Sequence, residues 1–204
     1  VLAACERFKL DGSAALFGIV AGIETLCRLC FVMPKAIHKA GFHPTSILGS
    51  MASTVAVSAA LGLNRKQMVD ALGNAGSLAS GIIEYLAEGA WTKRAHPGWG
   101  AAAGITAAAL ARGGFIGPKQ IFEGDYNLYR SLTGTRYSEC DLSLATKDLG
   151  TVWESARVAV KPIPACHLVH ACSDAAVALA RTYAIKPEDV KSIRALVPEQ
   201  TVHV

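Results

Sequence analysis

The stretch LGNAGSLASGIIEYLAEGAWTKRAHPGWGAAAG, Leu72 to Gly104, decides how the rest of the chain is read. It opens on glycines set inside a helical pattern and passes through a short polar connector. It then gathers Lys93, Arg94 and His96 between two indoles, Trp91 and Trp99, before an alanine-rich segment with no charge until Arg112. Gly73, Gly76 and Gly81 would each cost a lone helix roughly 1 kcal/mol relative to alanine, so they imply close backbone contact with neighbours. A further helix is expected to begin at Pro97 or Gly98 and to stop at Arg112-Gly113-Gly114. The positive charge collected in front of it is the first sign of a site.

On the N-terminal side, Asp11 is a plausible N-cap. Leu16, Ile19, Val20, Ile23, Leu26, Cys27 and Cys30 recur behind it at the spacing of one helical face, and Pro34 closes that helix. The charged connector KAIHKAGF leads to His43-Pro44 and a second helix, rich in Gly, Ala and Ser, that ends near Leu63. Asn64 with Gln67 resembles a capping box and opens a third helix through Met68, Leu72 and Ala75. On the C-terminal side, Gly117-Pro118 reads as the start of a short helix ending at Gly124. Residues 125–149 read as irregular surface structure with short helical turns. Arg157 to Lys161 is extended, KPIPACHLVHACSDAAVALARTYAI turns helical again, and SIRALVP, Ser192 to Pro198, alternates as a β-strand does.

The composition fits this pattern. Of 204 residues, 51% are hydrophobic and 18% charged, which is globular, and an aromatic share of 7% beside abundant Ala and Gly favours closely packed helices. The expected class is mainly α: an all-helical domain followed by the start of a smaller α+β lid domain. The net charge of +4 is modest and the 20 Lys and Arg are scattered, so nucleic acid is not an expected partner. Pro44 to Asn64 carries no acidic or basic side chain and is long enough to cross a bilayer. Its Thr45, Ser46, Ser50, Ser53, Thr54 and Ser58 make it a buried helix instead, and no membrane partner is expected. No stretch has the form of a secretory signal. The six cysteines show no small-disulfide spacing, which fits a reducing, cytoplasmic setting. Cys27 and Cys30 sit on a helical pattern and read as buried helix cysteines. VLAACERF reads as a helix already under way at Val1, so the chain is expected to be part of a longer protein.

One local device recurs: a histidine followed by proline, in GFHPTS at His43 and in RAHPGW at His96. Proline suits a first helical position, so each histidine is expected at a helix N-terminus, where free N–H groups and the helix dipole favour an anion. Lys93, Arg94 and His96 would add charge-assisted hydrogen bonds to a carboxylate or phosphate. A positive helix end also keeps imidazole neutral and available as a base, while a lysine stabilises the charge that builds on a carboxylate when its α-proton leaves. That chemistry suits elimination or epimerisation. Structural alternatives are a simple N-cap for the histidines, solvated cations and packing indoles. Cys166 and His170 could share a helical face, but no further ligand stands at a recognised spacing, and no metal is expected.

GFHPTS, LGNAGSLASGIIEYLAEGAWTKRAHPGWGAAAG, GFIGPKQIFEG and KPIPACHLVHACSDAA, in that order, resemble the MmgE/PrpD family over nearly the whole chain. That family includes 2-methylcitrate dehydratase, cis-aconitate decarboxylase and iminodisuccinate epimerase. The resemblance implies part of an all-helical domain over residues 1–160 and the beginning of a lid over 161–204. It further implies a cleft site for a small carboxylate substrate, no cofactor, and a homodimer. It implies His43 as a proton-transfer group and Lys93 and Lys161 as carboxylate anchors, these three catalytic. Arg94, His96, Cys166, His167 and His170 are the expected substrate-binding set, His170 supporting the cleft floor. Where the decarboxylase branch carries a histidine after the second lysine, this chain has Cys166, which argues against itaconate-forming decarboxylation. The expectation is a cofactor-independent hydro-lyase, 2-methylcitrate-dehydratase-like. A dicarboxylate epimerase and a non-catalytic carboxylate-binding or dimerisation module stay open beside it.

Overall fold

The computed structural model describes residues 1–198. The chain divides into two compact units, Val1–Arg157 and a second that begins at Val158. The first unit carries α1 (Leu2–Phe8), α2 (Gly12–Val32), α3 (Ala36–Lys39), α4 (Pro44–Ala60), α5 (Arg65–Leu78), α6 (Tyr85–Glu88), α7 (Thr92–Arg112) and α8 (Leu128–Thr133). Short 3₁₀ turns follow at Gly134–Glu139, Leu142–Ala145 and Glu154–Arg157. The described part of the second unit carries α9 (His170–Tyr183), preceded by a 3₁₀ turn at His167–Val169 and followed by one at Pro187–Asp189. The architecture is mainly α.

The expected caps are in place. The Asp11 carboxylate accepts the Ala14 N–H at 2.9 Å, and Asn64 and Gln67 close a reciprocal capping box on α5. α4 is the central helix, packed against α2, α5 and α7. Its buried hydroxyls turn back on the backbone, Ser50 Oγ donating to the Ser46 carbonyl and Thr54 Oγ1 to the Ser50 carbonyl, each at 2.7 Å. Small residues let the helices approach: Gly104 of α7 lies against Ser53 of α4, and Ser53 Oγ donates to the Gly100 carbonyl at 2.5 Å. Gly73 lies against the Pro118 backbone and Gly76 against the Ile121 side chain, as their position in the quoted stretch implies. Gly81 differs: α5 ends at Leu78, and Gly81 occupies the following turn with φ +126°.

The inward face of α2 is a correction. Leu16, Val20, Ile23 and Cys30 are exposed and Cys27 is only partly covered, whereas Ala15, Gly18, Gly22, Leu29 and Val32 are buried. Gly18 and Gly22 meet Ala52, Ala56 and Ala60 of α4, so this interface is built from small side chains that allow two backbones to touch. α2 is also the helix whose length and apolarity match a membrane span. It nonetheless buries an ion pair, Arg28 Nε to Glu24 Oε1 at 2.6 Å. The Arg28 guanidinium also donates to the Lys147 and Val152 carbonyls at 2.6 and 2.7 Å, and the Ser155 N–H donates to Glu24 Oε2 at 2.8 Å. These bonds tie 147–155 onto α2.

Other expectations shift. Residues 117–124 form a run of turns with no helix, because Gly117 and Pro118 are held against Asp70 and Gly73 of α5. Residues 125–149 are less superficial than their polarity suggests: Tyr129 is fully buried and its Oη donates to the Leu29 carbonyl at 2.7 Å. Ser192 to Pro198 takes no regular structure, since a strand needs a partner and the described residues offer it none. α7 begins five residues before Pro97, at Thr92.

Candidate active site

The site is assembled where the loop before α4 meets the loop before α6. Phe42 and Ile82 form an antiparallel bridge. The His43 N–H donates to the Gly81 carbonyl at 2.9 Å, and the Ile83 N–H to the Gly41 carbonyl at 3.0 Å. This fixes His43 as the N-cap of α4 with φ −87° and ψ 109°, the extended backbone that a residue before proline favours. The His43 carbonyl accepts the N–H groups of both Ser46 and Ile47, and Pro44 has none. Among the described residues this leaves the Thr45 N–H as the free first-turn donor of α4.

His96 is placed differently from the expectation. It lies inside α7, not at its start, and Pro97 is within the helix. Pro97 removes the bond its N–H would have given to the Lys93 carbonyl, but an early turn tolerates that loss better than a helix centre. Thr92 begins the helix because Gly89 turns the chain in the left-handed region, φ +68°, and the Arg94 N–H closes a tight first turn on the Trp91 carbonyl at 2.8 Å.

This register brings His96 onto His43. Their Nδ1 atoms are 2.8 Å apart, and Tyr85 of α6 stands edge-on to both rings, with centroids 5.4 Å from His43 and 5.6 Å from His96. Tyr85 and His96 are buried, at 7% and 6% exposure, and His43 is the member of the trio that reaches solvent. Lys93 Nζ lies 5.8 Å from the centre of the Tyr85 ring. Burial, reinforced by the neighbouring His96, Lys93 and His38, pushes the His43 pKa down to about 4, so its ring is neutral at pH 7. Burial also raises the Tyr85 phenol, which keeps it protonated. The arrangement is a neutral imidazole at the rim, backed by a buried ring and flanked by an exposed ammonium.

The Arg94 guanidinium lies over the Trp91 ring, 5.5 Å from its centre. Lys161, Cys166, His167 and His170 belong to the second unit. There Lys161 is exposed, His170 is buried with Nε2 3.3 Å from the Ala165 carbonyl, and the His167 and His170 rings are 4.7 Å apart. Among the described residues no three His, Cys, Asp or Glu side chains converge as metal ligands. Sequence reasoning missed Tyr85 and Ser46. Tyr85 stands in GIIEYLAEG between the two histidine motifs, and Ser46 follows His43 by one helical turn, so both were within the quoted motifs but carried no spacing of their own.

The sequence pattern of the MmgE/PrpD N-terminal domain matches residues 1–140. The chain belongs to the MmgE/PrpD family. Among its relatives, a cis-aconitate decarboxylase-like protein of Aspergillus oryzae is 29% identical over 171 residues, covering 82% of this chain and 34% of the relative. The cis-aconitate decarboxylase of Aspergillus terreus is 28% identical over 187 residues, covering 85% and 36%. That of Mus musculus is 32% identical over 198 residues, covering 93% and 37%. The chain thus spans about a third of the length of these MmgE/PrpD relatives.

Proposed function

We propose that the protein containing this chain is a cofactor-independent lyase acting on a small di- or tricarboxylate by proton transfer next to a carboxylate. The observation that carries this reading is the half-buried His43 ring, paired through Nδ1 with His96 at 2.8 Å, in a cluster whose Tyr85 ring has Lys93 Nζ 5.8 Å from its centre. Lys93 holds a substrate carboxylate. His43 Nε2 takes the α-proton: the C–H bond breaks, an N–H bond forms, and the electron pair stays on carbon, delocalised into the carboxylate beside the ammonium. Collapse to a double bond expels the β-hydroxyl, which leaves as water with the proton carried by His43. A base that is neutral in the free site suits a reaction that begins by removing a proton, as dehydration of a 2-methylcitrate-like acid does, and the proton it takes up is the one the leaving hydroxyl then receives.

The names of the relatives favour a second reading, loss of carbon dioxide from cis-aconitate. Decarboxylation needs a proton donor to the new carbanion, which His43 becomes only where a bound carboxylate raises its pKa. Lys161, as a further carboxylate anchor, and a homodimeric cytoplasmic enzyme are parts of the same proposal.

The test is an NMR and absorbance assay of the full-length protein on 2-methylcitrate, citrate and cis-aconitate, with Lys93→Ala alongside. An alkene formed with loss of water, and suppressed in the variant, supports the dehydratase. Release of carbon dioxide supports the second reading. Turnover undiminished in Lys93→Ala removes the lysine from the mechanism.

A further inference from the structure

A histidine that is to act as a base through Nε2 must carry its other proton on Nδ1, and something must hold it there. In this chain the group opposite His43 Nδ1 is His96 Nδ1, at 2.8 Å. One of the two nitrogens has to donate and the other to accept, so the tautomers of the two rings are locked together. If His96 donated, His43 would carry its proton on Nε2 and could take no other there. If His43 donates, its Nε2 keeps the lone pair and His96 carries its own proton on Nε2.

The far side of His96 bears on this choice. A Cβ placed on Gly81 would stand 3.2 Å from His96 Nε2 and 2.8 Å from Ser46 Oγ, so the two polar atoms border the same space, kept open by the absence of that Cβ. Ser46 is fully buried, and its hydroxyl has no hydrogen-bond partner among the described residues. A buried hydroxyl without a partner is unfavourable. The structure shows the hydroxyl and His96 Nε2 on the same space without a hydrogen bond between them, which leaves the hydroxyl free to accept one.

We propose that His96 is a positioning residue, its Nδ1 accepting the Nδ1–H of His43 so that the lone pair stays on His43 Nε2, and its own proton carried on Nε2, on the side where the Ser46 hydroxyl is free to accept it. This rests on the reading of His43 as the proton-transfer group. It changes the expected role of His96, which acts through His43 and makes no contact with substrate. The titratable groups facing His43 are His96 and Lys93 from α7, His38 from α3 and Tyr85 from α6. Of these, only His96 has a hydrogen bond to the His43 ring among the described residues.

The experiment is nitrogen NMR of the histidine-labelled full-length protein, read at His43, for the wild type, His96→Phe, His96→Asn and Ser46→Ala. The expected result is a protonated Nδ1 and a lone-pair Nε2 on His43 in the wild type, lost in His96→Phe. Asparagine, whose side-chain carbonyl stands near the former Nδ1, restores it. In kinetics, kcat is expected to fall roughly 10- to 100-fold in His96→Phe with KM within about threefold. His96→Asn recovers most of that loss, and Ser46→Ala falls less than His96→Phe. A wild-type His43 protonated on Nε2 overturns the proposal, whatever the activity. So does a KM that rises with kcat unchanged, the mark of a substrate ligand. If no carboxylate is turned over while the tautomer behaves as described, the proposed activity fails and the positioning of His43 by His96 stands.

Discussion

His43 and His96, 53 positions apart in the chain, face one another Nδ1 to Nδ1 at 2.8 Å, with the edge of Tyr85 against both rings. Burial of the His43 ring, reinforced by the nearby His96, pushes its pKa from 6.5 to about 4. Between those values the unfolded chain binds a proton that the folded chain does not, so stability rises with pH across the window. The thermal midpoint is therefore expected to fall as pH is lowered from about 6.5 to about 4, with no further contribution from His43 below that. The His43→Gln variant lacks this part of the slope. Midpoints that coincide for the two proteins across the window contradict the assignment.

The Glu24–Arg28 pair makes a second prediction. Both side chains are buried, at 4% and 5% exposure. Burial alone would raise the Glu24 carboxyl, but the Ser155 N–H and the Arg28 guanidinium together hold it below its ordinary value. Arg28→Ala leaves Glu24 Oε1 without its donor and the buried carboxylate without its counter-charge, frees two carbonyls, and is expected to cost about 3–5 kcal/mol in urea unfolding. Arg28→Lys recovers less than half of this, because one ammonium cannot reproduce the guanidinium fork.

Two glycines in neighbouring helices separate packing from propensity. A Cβ on Gly73 would run into the Pro118 backbone, whereas one on Gly49 meets nothing within 4 Å. Gly73→Ala is expected to destabilise the protein by about 1–3 kcal/mol. Gly49→Ala is expected to stabilise it by up to about 1 kcal/mol, since alanine is the better helix former. Denaturation midpoints that move the same way in both variants contradict this account of the helix contacts.

The buried hydroxyl of Tyr129 supplies a fourth. It spans 100 positions to the Leu29 carbonyl, joining α8 to the end of α2. Tyr129→Phe leaves that carbonyl unpaired in the core and is expected to cost about 1–3 kcal/mol, measured by chemical denaturation. A loss below about 0.5 kcal/mol indicates that the carbonyl finds another donor.

The helical class, the Asp11 and Asn64 caps and the N-cap position of His43 were legible because each depends on residues within a turn of one another. The inward face of α2 was not. Periodicity marks large apolar side chains, but here closeness to α4 decided the packing, and Gly18 and Gly22 serve that better than Leu16 and Val20. The start of α7 was misplaced because Pro97 was read as the first helical residue, although a second turn also accommodates it. That one-turn difference is what carries His96 inward to His43. Tyr85 and Ser46 could not be read at all, since their part in the site comes from the pairing of 41–43 with 81–83, a contact across some forty residues.

The central claim is that His43 transfers the proton. It is tested most directly by following full-length wild type and His43→Ala on 2-methylcitrate in deuterated water, reading proton loss at the α-carbon and alkene formation by NMR. The account predicts turnover by the wild type and a loss of about 10²- to 10⁴-fold in His43→Ala, with KM changed only a few-fold. Alkene formation by His43→Ala at the wild-type rate would contradict it.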